Sequence, residues 1–195
     1  MFLEPHFRGQ RSGWIEVICG PMFSGKTEEL IRRIKRAKIA RQKVIIYKPG
    51  SDTRYKEHQV VSHDANELDA IVINKAAEIL KIPDDIQVVG VDEAQFFDDP
   101  LIDILQQLAI RGVRVIVAGL DLDYLGKPFG PIPGLLAAAE YVTKVHSICQ
   151  QCGSLATHSY RKVQSEEQVL VGEKDAYEAR CRVCYHMGHV LDFAK

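Results

Sequence analysis

The sequence predicts an α/β fold, a parallel sheet flanked by helices, with a small cysteine-bearing module at its C-terminal end. Three observations carry that expectation. Short apolar runs recur without the polar alternation of a half-solvated sheet, as a parallel sheet covered on both faces requires. Helical patterns fall between those runs, so strand and helix alternate along the chain and imply right-handed crossovers. After about His146 that rhythm stops, and short segments bracketed by Cys149-x-x-Cys152 and Cys181-x-x-Cys184 replace it.

The first run, Trp14 to Cys19, ends on Gly20, and the stretch after Gly25 puts Leu30, Ile31, Ile34 and Ala37 on one helical face. The opposite face carries Arg32, Arg33, Lys35, Arg36 and Lys38 and reads as a solvated surface. Further buried strands are expected at Val44 to Tyr47, Val88 to Val91 and Val113 to Ala118, with a weaker candidate at Ala70 to Ile73. Helices are expected at about Lys75 to Leu80 and about Leu101 to Ile110. Gly126 to Gly134 is dense in glycine and proline and reads as a loop beside the carboxyl ends of the strands. The boundary between the α/β domain and the cysteine module is placed at 145/146, giving segments 1–145 and 146–195.

Length and charge narrow the function. A chain of 195 residues supports one sizeable core with a small satellite. Its 25 basic and 26 acidic residues leave a net charge of -1, so no global positive field favours a nucleic-acid polymer. The N-terminal stretch lacks a basic region followed by a long apolar run, and no apolar stretch approaches the roughly 20 residues that cross a bilayer. A cytoplasmic protein without a membrane partner is expected. In a reducing compartment, two Cys-x-x-Cys pairs read as metal ligands rather than disulfides.

Gly20-Pro21-Met22-Phe23-Ser24-Gly25-Lys26-Thr27 matches G-x-x-x-x-G-K-[ST], and it lies between a strand and a helix. In such a P-loop the backbone N–H groups turn inward onto phosphate oxygens, with the positive helix end behind them. The sheet is therefore expected to be of the P-loop NTPase type, with Lys26 reaching the β and γ phosphates and the Thr27 hydroxyl on Mg2+. Asp92 and Glu93 end a buried strand, where the acidic partner of a P-loop belongs. Asp92 is expected to hold Mg2+ and Glu93 to take the acceptor's proton. Asp52 and Arg54 follow another strand closely; Asp52 is assigned to the metal and Arg54 to the transferring phosphoryl group, although spacing alone fits a surface ion pair nearly as well. His63 is assigned no role.

The thiols of Cys149, Cys152, Cys181 and Cys184 suit a closed tetrahedral Zn2+ site, structural because no coordination position stays open. His186 and His189 stand close enough to replace a cysteine, but four thiols make that unnecessary. Cys19 reads as a small buried hydrophobe. Tied down by zinc, the chain between the pairs, with Val169 to Gly172 and Tyr177, can serve as a lid that keeps water from the acceptor site.

The P-loop, Asp-Thr-Arg-Tyr at 52–55, Asp-Glu-Ala-Gln-Phe-Phe at 92–97, Lys-Pro-Phe-Gly at 127–130 and the paired cysteines together resemble the zinc-containing (type II) thymidine kinases, over nearly the whole chain. The resemblance implies transfer of the ATP γ-phosphate to the 5'-hydroxyl of thymidine, a lasso loop in the zinc module, and a homotetramer. It further implies that Met22, Leu120, Tyr124, Phe129 and Tyr177 surround the base or sugar, with Phe96 and Phe97 beside them. Backbone groups of Val169, Leu170, Val171 and Gly172 would meet the pyrimidine edge, and Gln95 would join the ATP-binding set. Two positions depart from the pattern: the family often carries phenylalanine at the position of Tyr124, and Gly172 to Tyr177 is more acidic than usual.

Two other readings compete. A P-loop ATPase would use Glu93 to activate water, but the short chain shows no added module to couple hydrolysis to work. A zinc-ribbon nucleic-acid adaptor would need a basic face around the cysteines, whereas Arg161, Lys162, Arg180 and Arg182 are mixed there with Glu166, Glu167, Glu173, Asp175 and Glu178.

Overall fold

The computed structural model describes residues 13–50, 59–61, 67–163 and 176–193. Strand β1 spans Trp14–Cys19, helix α1 Lys26–Ile39 and β2 Val44–Pro49. A short hairpin, β3 Gln59–Val61 with β4 Glu67–Asp69, precedes β5 Ile71–Ile73. Then come β6 Val88–Val91, α2 Leu101–Ile110, β7 Arg114–Gly119, α3 Ile132–Ala138 and β8 Tyr141–Lys144. Six of these strands form one sheet in the order β5-β2-β6-β7-β1-β8, with every pairing parallel. The expected strands are all present, within a residue or two at their ends.

The sheet is buried on both faces, which is why its strands read as continuous apolar runs. Along β1, Ile15, Val17 and Cys19 enter the core beneath α2 and α3, while Ile18 enters the core beneath α1 with Leu30, Ile31 and Ile34. Burial pushes the Cys19 thiol up to about 11, in keeping with a small apolar core residue.

Several expectations need correction. The segment expected to be a helix near 75–80 is a tighter 3-10 turn over Ala76–Lys81. The glycine- and proline-rich stretch is a loop only at first, because α3 begins inside it at Ile132; Pro131 and Pro133 are tolerated at a helix start, where no intrahelical N–H partner is needed. Edge strand β8 has the half-exposed alternation of Tyr141, Val142, Thr143 and Lys144 and gives no strong apolar run. Arg33 is the largest departure, since it belongs to no solvated face.

Arg33 is buried and donates to Glu16 at 2.8 Å, to Glu29 at 2.8 Å and to the Thr143 hydroxyl at 2.9 Å. Glu16, at 2% exposure, also accepts from Arg114 at 2.6 Å and from the Trp14 indole at 2.7 Å. This charged cluster joins β1, β7, β8 and α1. Burial alone would raise the Glu16 carboxyl, but the hydrogen bonds from Arg114 and Trp14, with both guanidinium charges, hold it below its ordinary value of 4.5. Hydrogen bonds from Arg32 and Arg33 take Glu29 down to about 2.

Because both folded values are depressed, their stabilising contribution is present above about pH 4.5 and is lost as pH falls through the folded values. Thermal unfolding should therefore show the melting temperature falling below about pH 5. Replacing Glu16 by Gln leaves the buried Arg33 with Glu29 as its remaining counter-charge and takes from the half-buried Arg114 its partner in the cluster. It is expected to destabilise by about 3–5 kcal/mol at neutral pH and to flatten the acid limb; an unchanged limb would show that this carboxylate does not govern it.

The cysteine module begins right after the sheet. A hairpin of β9 Ser147–Ile148 and β10 Leu155–Ala156 precedes a second antiparallel pair, β11 His158–Arg161 and β12 Tyr177–Arg180. Helix α4, Arg182–Phe193, follows; the sequence reading had no helix there. Among the described residues no helix is long and apolar enough to cross a membrane.

Candidate active site and metal site

The P-loop leaves the carboxyl end of β1 and runs into α1. Its geometry depends on glycine twice: a Cβ on Gly20 would lie 2.2 Å from the Val145 carbonyl oxygen, and Gly25, with φ +81°, caps the helix in the left-handed region. Lys26 donates to the Pro21 carbonyl at 2.7 Å, and Ser24 donates to the same oxygen at 2.8 Å. The loop thus curls around its own lysine.

Strand β6 ends two strands away from β1 in the sheet, with β7 between them. Asp92 nevertheless reaches the P-loop: its carboxylate oxygens stand 3.3 and 3.5 Å from the Thr27 hydroxyl. These separations exceed those of a tight O–H···O bond, normally about 2.7–2.8 Å. They suit two side chains facing a common partner, such as a cation or water.

Glu93 follows in the left-handed region, φ +49° and ψ +42°, a conformation that costs a non-glycine residue roughly 1–2 kcal/mol. It turns the chain sharply into the short 3-10 turn Ala94–Phe96 and leaves the Glu93 carboxylate half-buried at the sheet edge. Strain of this kind is concentrated at functional sites. Gln95, 3% exposed, donates to Glu93 at 2.5 Å and accepts from the Leu120 backbone N–H at 2.9 Å.

Beyond Leu120 the chain forms a tight loop, with Asp123 accepting from the backbone N–H groups of Leu125 and Lys127. Phe129 meets Phe96 edge to face, ring centres 5.7 Å apart. Phe97 turns away into the core with Leu101 and Ile104, so it does not join the aromatic group in which it was expected.

The cysteine module packs directly on this edge. Ser159 accepts from the Met22 backbone N–H at 3.0 Å, and Phe23 packs against Cys149, Ala156 and Ala179. The guanidinium of Arg161 lies 3.5 Å from the centre of the Tyr124 ring and donates to the Tyr177 hydroxyl at 2.7 and 3.2 Å. Tyr185 donates to the Tyr124 carbonyl at 2.7 Å. Burial, with Asp123 nearby, pushes the Tyr185 phenol up to about 12, so it remains a donor at neutral pH. Arg161 thus brings Tyr124 and Tyr177 together, and Ser159 draws the Met22 backbone onto the same module.

Sequence reasoning missed Ser159, Arg161 and Tyr185. For one of them a signal was present, since Tyr185 directly follows a cysteine of the second pair; Arg161 meets Tyr177 only through the β11–β12 ladder, which exists once the chain has folded. Ser159 has no comparable signal. Asp52, Arg54 and His63, like Val169 to Gly172, lie outside the described residues.

The four sulfurs of Cys149, Cys152, Cys181 and Cys184 all lie within 4.8 Å of one another, with Cys152 and Cys181 3.7 Å apart. Thiolates about 2.3 Å from a tetrahedral zinc are separated by about 3.8 Å. One pair sits on the β9–β10 turn; the other spans the entry into α4. Hydrogen bonds from Ser154 bring Cys152 down to about 6, whereas the hydrogen bonds of Cys184 to Cys152 and Cys181 push it up to about 12. Four thiolates at this spacing repel one another unless a cation sits between them, and the donor set fits a soft divalent metal. His186 is exposed and lies outside the cluster, while the side chain of His189 falls outside the described residues.

A family model described as thymidine kinase matches residues 13–185. A thymidine kinase of Bacteroides thetaiotaomicron is 58% identical over 186 residues, covering 95% of this chain and 94% of that protein. One from Porphyromonas gingivalis is 56% identical over 180 residues, covering 92% and 88%. One from a Rhodothermus species is 57% identical over 177 residues, covering 91% and 83%.

Proposed function

Because this chain belongs to the thymidine kinase family, we propose that it transfers the γ-phosphate of ATP to the 5'-hydroxyl of thymidine, giving thymidine monophosphate. The observation that supports this reading is the approach of the Asp92 carboxylate to the Thr27 hydroxyl, with Glu93 next along the chain.

The backbone N–H groups of Gly20 to Thr27 and the Lys26 ammonium bind the triphosphate. Thr27 and Asp92, with Asp52 assisting, would hold the Mg2+ that accompanies ATP, which would supply charge neutralisation at the phosphates. Glu93 takes the proton of the 5'-hydroxyl as its oxygen bonds to the γ-phosphorus; the bond from phosphorus to the β,γ-bridging oxygen breaks and ADP leaves. Arg54 balances charge on the phosphoryl group in transfer.

Met22, Phe96, Leu120, Tyr124, Phe129 and Tyr177 surround the nucleoside, and Val169 to Gly172 meet the pyrimidine edge as a lasso that excludes water. Arg161, against both tyrosines, and Tyr185, bonded to the Tyr124 carbonyl, hold Tyr124 and Tyr177 in place. We assign Zn2+ to the four cysteines as a structural ion. The chain is read as an ATP-binding part, 1–145, and a zinc-binding part, 146–195, acting in the cytoplasm as a homotetramer.

The test is a panel of nucleosides incubated with Mg-ATP, following nucleoside monophosphate and ADP together. Thymidine-dependent formation of both products in equal amounts is expected. ADP appearing equally fast without any nucleoside would establish the competing ATPase reading instead.

A further inference from the structure

We propose that Gln95 is the positioning residue of Glu93: its amide ties the catalytic carboxylate to the backbone N–H of Leu120, fixing the base relative to the acceptor wall. The inference rests on the assignment of Glu93 as the base.

The orientation of the Gln95 amide follows from its surroundings. A backbone N–H can only donate, so the atom 2.9 Å from the Leu120 nitrogen must be the amide oxygen. The NH2 group is then the end that faces Glu93, where a carboxylate can only accept, at 2.5 Å. One buried side chain therefore satisfies a main-chain donor at the end of β7 and a carboxylate at the end of β6, and neither contact permits a flip.

The surrounding chain is built to leave room for it. A Cβ on Gly119 would come within 3.0 Å of the Gln95 amide oxygen, and one on Gly130 would sit 2.3 Å from the Gln95 carbonyl oxygen. The tie also compensates for a local weakness. Glu93 occupies a strained backbone conformation at the start of a three-residue turn, and such a residue keeps its direction only when its surroundings over-determine it. Leu120 and the loop behind it lead to Tyr124 and Phe129, so a displacement of the base relative to Leu120 is a displacement relative to the acceptor side.

Gln95→Met keeps the volume and removes both hydrogen bonds. Gln95→Glu keeps an acceptor for Leu120 and removes the donor to Glu93. Each is expected to lower kcat by about 10- to 100-fold, the scale of a misplacement near 1 Å, with the KM for ATP unchanged. In a Glu93→Gln background Gln95→Met should cause less than about a twofold further loss, because a residue acting through another is non-additive with it.

Normal kcat in both single variants would overturn the proposal. So would an equal loss from Gln95→Met in both backgrounds, which marks a merely structural role, or a raised KM for ATP at unchanged kcat, which marks a donor-side contact. Thermal unfolding of each variant separates misfolding from misplacement, and Gln95→Glu carries the test if Gln95→Met does not fold. Near-normal turnover of Glu93→Gln alone would reject the base assignment, and this proposal with it; loss in Glu93→Gln but normal turnover in the Gln95 variants rejects the positioning role only.

Discussion

Replacing Glu93 by Gln is expected to lower kcat by about 10²- to 10⁴-fold, with binding of Mg-ATP largely intact. The amide keeps the size and polarity of the carboxylate, so the strained turn and the neighbouring Gln95 are disturbed little, but it cannot accept the proton of the 5'-hydroxyl. The P-loop, Lys26, Thr27 and Asp92 are untouched by the change. Steady-state turnover with thymidine, alongside equilibrium binding of a non-hydrolysable ATP analogue, separates the two effects. Near-normal turnover would reject Glu93 as the base.

Loss of the metal is expected to damage the acceptor side far more than the donor side. Cys181→Ala opens the four-thiol site at the entry to α4, one turn from Tyr185. Structural zinc contributes on the order of 10 kcal/mol to folding in small isolated modules, so β11, β12 and α4 should lose their packing when it is gone. With them go the Tyr185 bond to the Tyr124 carbonyl and the Arg161 contacts to Tyr124 and Tyr177. The kcat/KM for thymidine should fall at least about 100-fold, equivalent to about 2.7 kcal/mol, while ATP affinity changes less. The native protein should carry about one zinc per chain, the stoichiometry of a single four-thiol site; metal content well below that would sink the assignment.

These predictions differ in how much of their basis could be read before folding. The strand and helix order was legible because a parallel sheet buried on both faces leaves uninterrupted apolar runs such as Trp14 to Cys19 and Val113 to Ala118. The phosphate cradle and the cysteine pairs were legible because each is a local device whose spacing is its geometry. Strand β8 and helix α3 were not. The first is an edge strand with one exposed face, and the second starts on prolines that read as a turn. Arg33 was assigned to solvent because five basic residues on one helix look alike in sequence; only the opposing Glu16 on β1, brought close by the sheet, selects one of them for burial.

Local chemistry is written in the chain: a G-x-x-x-x-G-K-T loop ahead of a helix, a carboxylate pair at a strand end, four thiols in two pairs. Tertiary structure alone decided which of these face one another. Thr27 meets Asp92 across an intervening strand, Gln95 takes the Leu120 N–H at the end of β7, and Ser159, Arg161 and Tyr185 fasten the cysteine module to the P-loop and to Tyr124. The physical reason is that a motif is held by neighbours a few residues away, whereas these contacts join groups 25 to 137 residues apart, where spacing along the chain carries no distance information.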